Sequence, residues 1–184
     1  MINMRRYFKR YIKRKPGRHG SVGDLAWVAG MIDGDGSIVA YARRGNQVEV
    51  AGMYIRVEVT QVAREALVWI WKALGGLGTI RRARPKPGHW DRERTQYAWR
   101  VWSLEGEIVL RLILPYLKLK KRQAELCLQA RQLVKGPGNC LGGGIPIHDW
   151  RRIKGELTRL NKRYGKQGNH KSTPLLLMKK STYS

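Results

Sequence analysis

Asp33 and Asp35 stand two residues apart at the end of an apolar run, Val28-Ala29-Gly30-Met31-Ile32-Asp33-Gly34-Asp35-Gly36-Ser37-Ile38. Leu25, Val28, Ala29 and Ile32 recur at helical spacing, which predicts a helix over Asp24 to Gly34. Carboxylates at a helix C-terminus face the negative end of its dipole and are unfavourable there unless a cation offsets them. In a chain with 37 Lys+Arg against 13 Asp+Glu, the chemistry that would use such acids is a divalent-metal site working on a polyanion. An EF-hand loop starting at Asp33 needs Gly at its sixth position and Glu at its twelfth, and this chain has Ile38 and Arg44 there. A phosphate loop needs Gly-Lys-Ser/Thr, which the sequence lacks. On residue types alone, a metal site and a plain Asp-Gly turn joining a helix to a strand both stay open.

The charge narrows the class of partner. A formal net charge of +24 on 184 residues favours nucleic acid over a neutral ligand. No apolar run approaches the ~20 residues of a membrane span, and no secretory apolar region is present. A non-secreted, intracellular setting is the expectation, in cytoplasm or organelle matrix. Cys127 and Cys140 cannot complete a four-ligand zinc site unaided, and Cys127 falls in an apolar helical register. His19, His89, His148 and His170 have no ligand-like spacing.

The elements that must position the acids follow from the pattern. Residues 1–23 read as a basic arm with eight Lys or Arg before Asp24, suited to tracking phosphates. Ser21 or Asp24 is the candidate cap of the first helix. From Ser37 the period becomes two. Strands are expected over Ser37 to Arg43 and Gln47 to Gln61, with a turn near Arg44-Gly45-Asn46. Met53, Ile55, Val57 and Val59 share one face; Tyr54, Arg56, Glu58 and Thr60 share the other, a large polar face suited to contact. Ala63 to Leu74 is a helix ended by Gly75-Gly76. A second hairpin pairs Gly78 to Arg84 with Thr95 to Ser103 across a charged turn. Helices follow over Glu105 to Tyr116, Leu119 to Val134 and Asp149 to Tyr164, the last two joined by a Gly/Pro-rich linker, Lys135 to Pro146. Trp27, Trp69, Trp71 and Trp99 read as core candidates, and Trp90, in the charged turn, as a candidate nucleic-acid contact. Two antiparallel hairpins backed by helices make an α+β fold. Its domain is expected over 24–164, with a basic tail at 165–184.

Three of these segments, in order, carry a resemblance. Val28 to Gly36 resembles the nonamer that names the LAGLIDADG homing endonucleases. Ala29, Gly30, Ile32, Asp33, Asp35 and Gly36 match, Val28 and Met31 are conservative variants, and Gly34 is a frequent alternative. Val59-Thr60-Gln61 resembles the end of that family's second strand. Pro115-Tyr116-Leu117-Lys118-Leu119-Lys120-Lys121-Arg122-Gln123 resembles its Pro-x-Leu-x-x-Lys-x-x-Gln segment. The downstream αββαββα order is also the family's, so the resemblance covers about Leu25 to Val134 and implies an antiparallel β-saddle backed by helices, with an added C-terminal helix here.

The resemblance implies a sequence-specific, metal-dependent endonuclease cutting double-stranded DNA. Asp35 would ligate the catalytic Mg²⁺ (or Mn²⁺, or Ca²⁺ in an inactive complex), assisted by the Gly34 carbonyl. Asp33 would support the helix end. Gln61 would position water and Lys120 would stabilise charge on the scissile phosphate. Where close relatives carry a basic residue four positions past the glutamine, this chain has Glu65, with Arg64 adjacent. One motif supplies one such Asp, so a homodimer is expected, with Gly30 and Gly34 at the interface and a near-palindromic target. The saddle would lie in the major groove, with Val39, Tyr41, Arg43, Tyr54, Arg56, Glu58, Thr79, Arg81 and Arg100 facing DNA. Arg suits guanine and Glu58 would accept from cytosine. The competing functions on the same scaffold are an intron RNA maturase and a catalytically silent DNA-binding protein. An intron-encoded origin is part of the same implication.

Overall fold

A computed structural model of the chain describes residues 19–43, 49–50, 52–83, 95–134 and 145–165. The basic arm before residue 19, the turn at Arg44-Gly45-Asn46, the charged turn carrying Trp90, and the tail lie outside them.

The elements run α1 (Val22–Asp35), β1 (Gly36–Arg43), β2 (Glu49–Val50), β3 (Gly52–Gln61), α2 (Arg64–Ala73), β4 (Thr79–Arg82), β5 (Tyr97–Trp102), α3 (Ser103–Ile113), α4 (Lys121–Leu133), β6 (Ile145–Pro146) and α5 (Ile147–Gly165). The expected order is present, with one addition. The stretch expected to be linker ends in β6, which pairs with β2 as a small second sheet, Val50 opposite Ile145 and Glu49 opposite Pro146. Buried Ile145 is the apolar residue that makes this pairing worthwhile, and a Gly/Pro-rich context hides it from periodicity.

The main sheet has the antiparallel order β1-β3-β5-β4. Its register runs from Gly36 opposite Val59 to Arg43 opposite Gly52 between β1 and β3, and from Arg56 opposite Trp102 to Gln61 opposite Tyr97 between β3 and β5. Strand side chains alternate between faces. Ile38 and Ala40 of β1, Met53, Ile55, Val57 and Val59 of β3, and Trp99 and Val101 of β5 are accordingly buried on one side. Helices α1 to α4 pack on that side, adding Val28, Ala29, Ile32, Leu67, Ile70, Leu110, Ile113, Leu126 and Cys127. Among the described residues the other side carries no helix layer, and α5 packs against α4 and the β1 edge through Trp150, Ile153 and Leu157.

Ser21 caps α1 through a capping box. Its Oγ accepts from the Asp24 N–H at 3.2 Å, and the Ser21 N–H donates to Asp24 Oδ2 at 2.7 Å. Gly75 and Gly76 end α2 with φ of 66° and 82°, a left-handed geometry that glycine adopts without strain. Of the four tryptophans expected in the core, only Trp99 is buried, its indole N–H donating to the Leu77 carbonyl at 2.9 Å. Trp27, Trp69 and Trp71 are 40%, 46% and 39% exposed. Trp27 and Trp69 instead stack edge to face, 4.9 Å between centroids, where α1 meets α2. Helical spacing alone did not separate these two settings, because large side chains flank an apolar stripe as readily as they fill it.

Candidate active site and nucleic-acid interface

The C-terminus of α1 carries both acids, and the helix turns them to different sides. Two residues at about 100° each put their side chains far apart around the axis. Asp33 faces inward and is buried; Asp35 is exposed. Gly36 then enters β1 in extended conformation. A Cβ at Gly36 would lie 2.7 Å from Ile32 Cα and 2.8 Å from the Ile32 carbonyl oxygen, so the helix-to-strand passage needs glycine.

Asp33 accepts three backbone hydrogen bonds from the segment leading into α4: Oδ2 from the N–H of Lys118 at 2.7 Å and of Leu119 at 3.2 Å, and Oδ1 from that of Lys120 at 2.8 Å. The carboxylate that stands badly at the end of one helix therefore stands well at the start of another, where N–H groups lack partners. Lys120 completes the exchange. Its ammonium donates to the carbonyls of Ile32 at 2.8 Å, Asp33 at 2.6 Å and, more distantly, Gly34 at 3.4 Å. The cation that offsets the negative end of α1 is this buried lysine. Burial pushes its pKa below the usual lysine value, and Asp33 and Asp35 pull the other way.

Asp35 is left as the open acid. Gln61, the last residue of β3, donates its side-chain amide to Asp35 Oδ2 at 2.5 Å. The fold thus gathers Asp35, Gln61, Gly34 and Lys120, residues from three separated stretches, at one end of α1. Arg64 and Glu65 follow in the first turn of α2, both exposed. Gly30 and Gly34 lie exposed on α1, and a Cβ on either would meet nothing within 4 Å. Among the described residues no group of three His, Cys, Asp or Glu gathers in a metal-holding cluster. Asp35 is the exposed carboxylate at this end of α1, and a carboxylate together with a backbone carbonyl such as that of Gly34 is the donor set of half a hard-cation site.

Arg43 aside, the residues expected to face DNA share the sheet face on which no described helix packs. Register places Val39 opposite Arg56, Tyr41 opposite Tyr54, Glu58 opposite Arg100, and Thr79 opposite Arg100 on its other side. Thr79 and Arg81 are exposed, and Val39, Tyr41, Tyr54, Arg56, Glu58 and Arg100 half-buried. The side chain of Arg43 lies outside the described residues. Glu58 already has arginine partners on both oxygens. Its two oxygens take Arg100 Nε at 2.9 Å and Nη2 at 2.8 Å, and Arg56 Nε lies 3.4 Å from Oε2. Those bonds, more than the burial that opposes them, push the Arg100 guanidinium above its usual value. Trp102, absent from the expected set, belongs to this face and is 44% exposed. Strand alternation from Arg100 was the available signal. Lys154 of α5 also reaches the edge of the face, donating to the Ala40 carbonyl at 3.3 Å and lying over the Tyr41 ring.

No family model and no curated protein sequence matches the chain. Among solved structures, the meganuclease I-SmaMI bound to uncleavable DNA superposes with a TM-score of 0.54 at 16% identity, over 77% of this chain and 47% of that one. I-Vdi141I, an archaeal intron-encoded homing endonuclease complexed with DNA, superposes at 0.50 with 19% identity, over 75% and 84%. The LAGLIDADG homing endonuclease I-GzeII, in complex with its DNA target, gives 0.50 at 14%, over 77% and 48%. The chain has the LAGLIDADG homing-endonuclease fold. It spans about half the length of I-SmaMI and I-GzeII and most of I-Vdi141I. Within this fold, α1 is the helix that carries the nonamer, and the β1-β3-β5-β4 sheet is the saddle. Among the described residues no helix is long and apolar enough to cross a membrane.

Proposed function

We propose that the protein is a metal-dependent endonuclease cutting double-stranded DNA at a long, near-palindromic site as a homodimer. The observation that carries this reading is the convergence at the end of α1. Gln61 bonds the exposed acid Asp35, while Lys120 holds the carbonyls beneath it, next to a sheet face bearing arginines that, among the described residues, no helix covers.

Asp35 and the Gly34 carbonyl would hold a divalent cation such as Mg²⁺. That ion, when bound, supplies Lewis-acid stabilisation of a phosphodiester oxygen and acidifies water. The chain's own residues do the positioning. Gln61 fixes the Asp35 carboxylate and has a second amide atom with which to orient a water. Lys120 keeps α1 closed at its last turn and places positive charge beneath the scissile phosphate. Lys and Arg on the sheet and in the basic arm neutralise backbone phosphates, and half or more of the contacts go to backbone.

A single Asp35 per chain makes half a cutting centre. The bare flank of Gly30 and Gly34 lets a second α1 approach about a two-fold axis, which brings two Asp35 side chains together and demands a target with matching symmetry.

The test is cleavage of a plasmid library carrying randomised inserts, with Mg²⁺ and then Mn²⁺. Wild type is expected to linearise a recoverable subset. Asp35→Asn is expected to bind the recovered duplex and leave it intact. A duplex bound tightly by wild type yet uncut with either ion would overturn the nuclease reading. A protein that stays monomeric on its DNA in sedimentation would overturn the shared centre.

A further inference from the structure

The sheet face holds an arrangement that its residue types do not reveal. Glu58 lies between two arginines. Arg100 meets it side-on through Nε and Nη2, at 2.9 and 2.8 Å, and Arg56 Nε lies 3.4 Å away. Both guanidinium groups also rest on aromatic rings. Arg56 Cζ is 5.1 Å from the Tyr41 centroid and 5.4 Å from that of Trp102, and Arg100 Cζ is 5.8 Å from Trp102. These distances lie within the reach of a cation–π interaction. Arg56 Nε is buried with no hydrogen-bond partner, so its guanidinium is held by stacking and charge.

The donor count decides what Arg100 can still do. A guanidinium has five N–H donors. Glu58 takes the Nε–H and one Nη2–H. One Nη2–H and both Nη1–H remain, forming the end-on fork that matches the O6 and N7 acceptors of guanine. Glu58 meanwhile has both oxygens engaged by Arg100. A flexible arginine would lose rotamer freedom on reading a base; Arg100 is already fixed by two bonds and a ring.

Resting on the reading of this face as a DNA interface, we propose that Glu58 is a positioning residue that presents Arg100 end-on to a guanine in each half-site. Specificity at that base pair then belongs to Arg100, and Glu58 acts through it. Arg56, resting against both the Tyr41 and Trp102 rings, reinforces the positive face without relaxing the orientation of Arg100.

The experiment is selection from a duplex pool with a randomised central region, followed by binding of the selected duplex and its single-base variants in Ca²⁺. It compares wild type, Glu58→Gln, Glu58→Ala, Arg100→Met and each double variant, with circular dichroism and melting confirming the fold. Wild type is expected to prefer one G·C pair per half-site by about tenfold or more, the range of one bidentate contact. Either Glu58 variant is expected to lower that preference to about threefold or less while holding or raising affinity for unrelated duplex, since a negative charge is gone. In the Arg100→Met background, changing Glu58 is expected to leave base preference unaltered. If Glu58 variants keep the guanine preference, or shift preference equally with and without Arg100, the positioning role is overturned while DNA binding stands. If selection recovers no sequence at all, the DNA-interface reading falls and the inference with it.

Discussion

Asp33 and Asp35 are predicted to respond oppositely to truncation, although only Gly34 separates them. Asp33→Ala removes the acceptor of three N–H groups. Those of exposed Lys118 and Leu119 can turn to water, which limits their loss to about 1 kcal/mol, the scale of a missing helix cap. The Lys120 N–H is buried, and leaving it unpaired costs roughly 1–3 kcal/mol. The sum is about 3 kcal/mol, or a fall in melting temperature of about 6–12 °C for a chain of this size. Asp33→Asn, which keeps an acceptor oxygen but turns an NH₂ toward donors, is expected to fall between. Asp35→Ala should leave stability unchanged or raise it by about 0.3–1 kcal/mol, because it removes an exposed acid from the negative end of α1. Urea titration monitored by tryptophan fluorescence measures all three. An Asp33→Ala midpoint shift worth under about 1 kcal/mol, or an Asp35→Ala loss as large as that of Asp33→Ala, would refute the assignment of one acid to structure and the other to chemistry.

Other outcomes follow from the same geometry. Gly36→Ala is expected to lower stability by about 1–3 kcal/mol or more, since its Cβ would press on the Ile32 backbone. Gly30→Ala and Gly34→Ala, with open space around them, should melt at or slightly above wild type yet weaken self-association in sedimentation. Lys120→Met is expected to lower both the melting temperature and cleavage, because three carbonyls at the end of α1 lose their donor; a variant with full cleavage would contradict its placement. The Cys127 thiol is pushed by burial up to about 12 from 9.0. In the folded protein it should therefore resist alkylation at neutral pH and react promptly in guanidinium. Its raised folded-state value means that only the unfolded chain ionises as pH passes 9, so stability should decline above that point, and less so in Cys127→Ala.

The helices, the two hairpins and the inward parity of Met53, Ile55, Val57 and Val59 were legible in the sequence because each depends on local periodicity, and periodicity is a property of neighbouring residues. Ser21 as cap and Asp33-Gly34-Asp35 as a helix end were legible for the same reason. The short pairing of Val50 with Ile145 was not, since two-residue strands carry no period and their stability comes from a partner far along the chain. The exposure of Trp27, Trp69 and Trp71 is not legible either, because hydrophobicity alone does not say which flank of a helix is covered.

The sequence by itself determined the inventory at the end of α1: two acids that need compensation in a chain of excess positive charge. It also placed the nine expected contact residues on strands whose alternation sets such residues on one face. Only the tertiary structure decided what each charge meets. Asp33 is satisfied by backbone N–H groups 85 to 87 residues away, and the compensating cation at α1 is Lys120. Glu58 is spent on Arg100 across a strand pair. Electrostatic partnership is set by distances of a few ångströms and by solvent exclusion, and neither is encoded in separation along the chain.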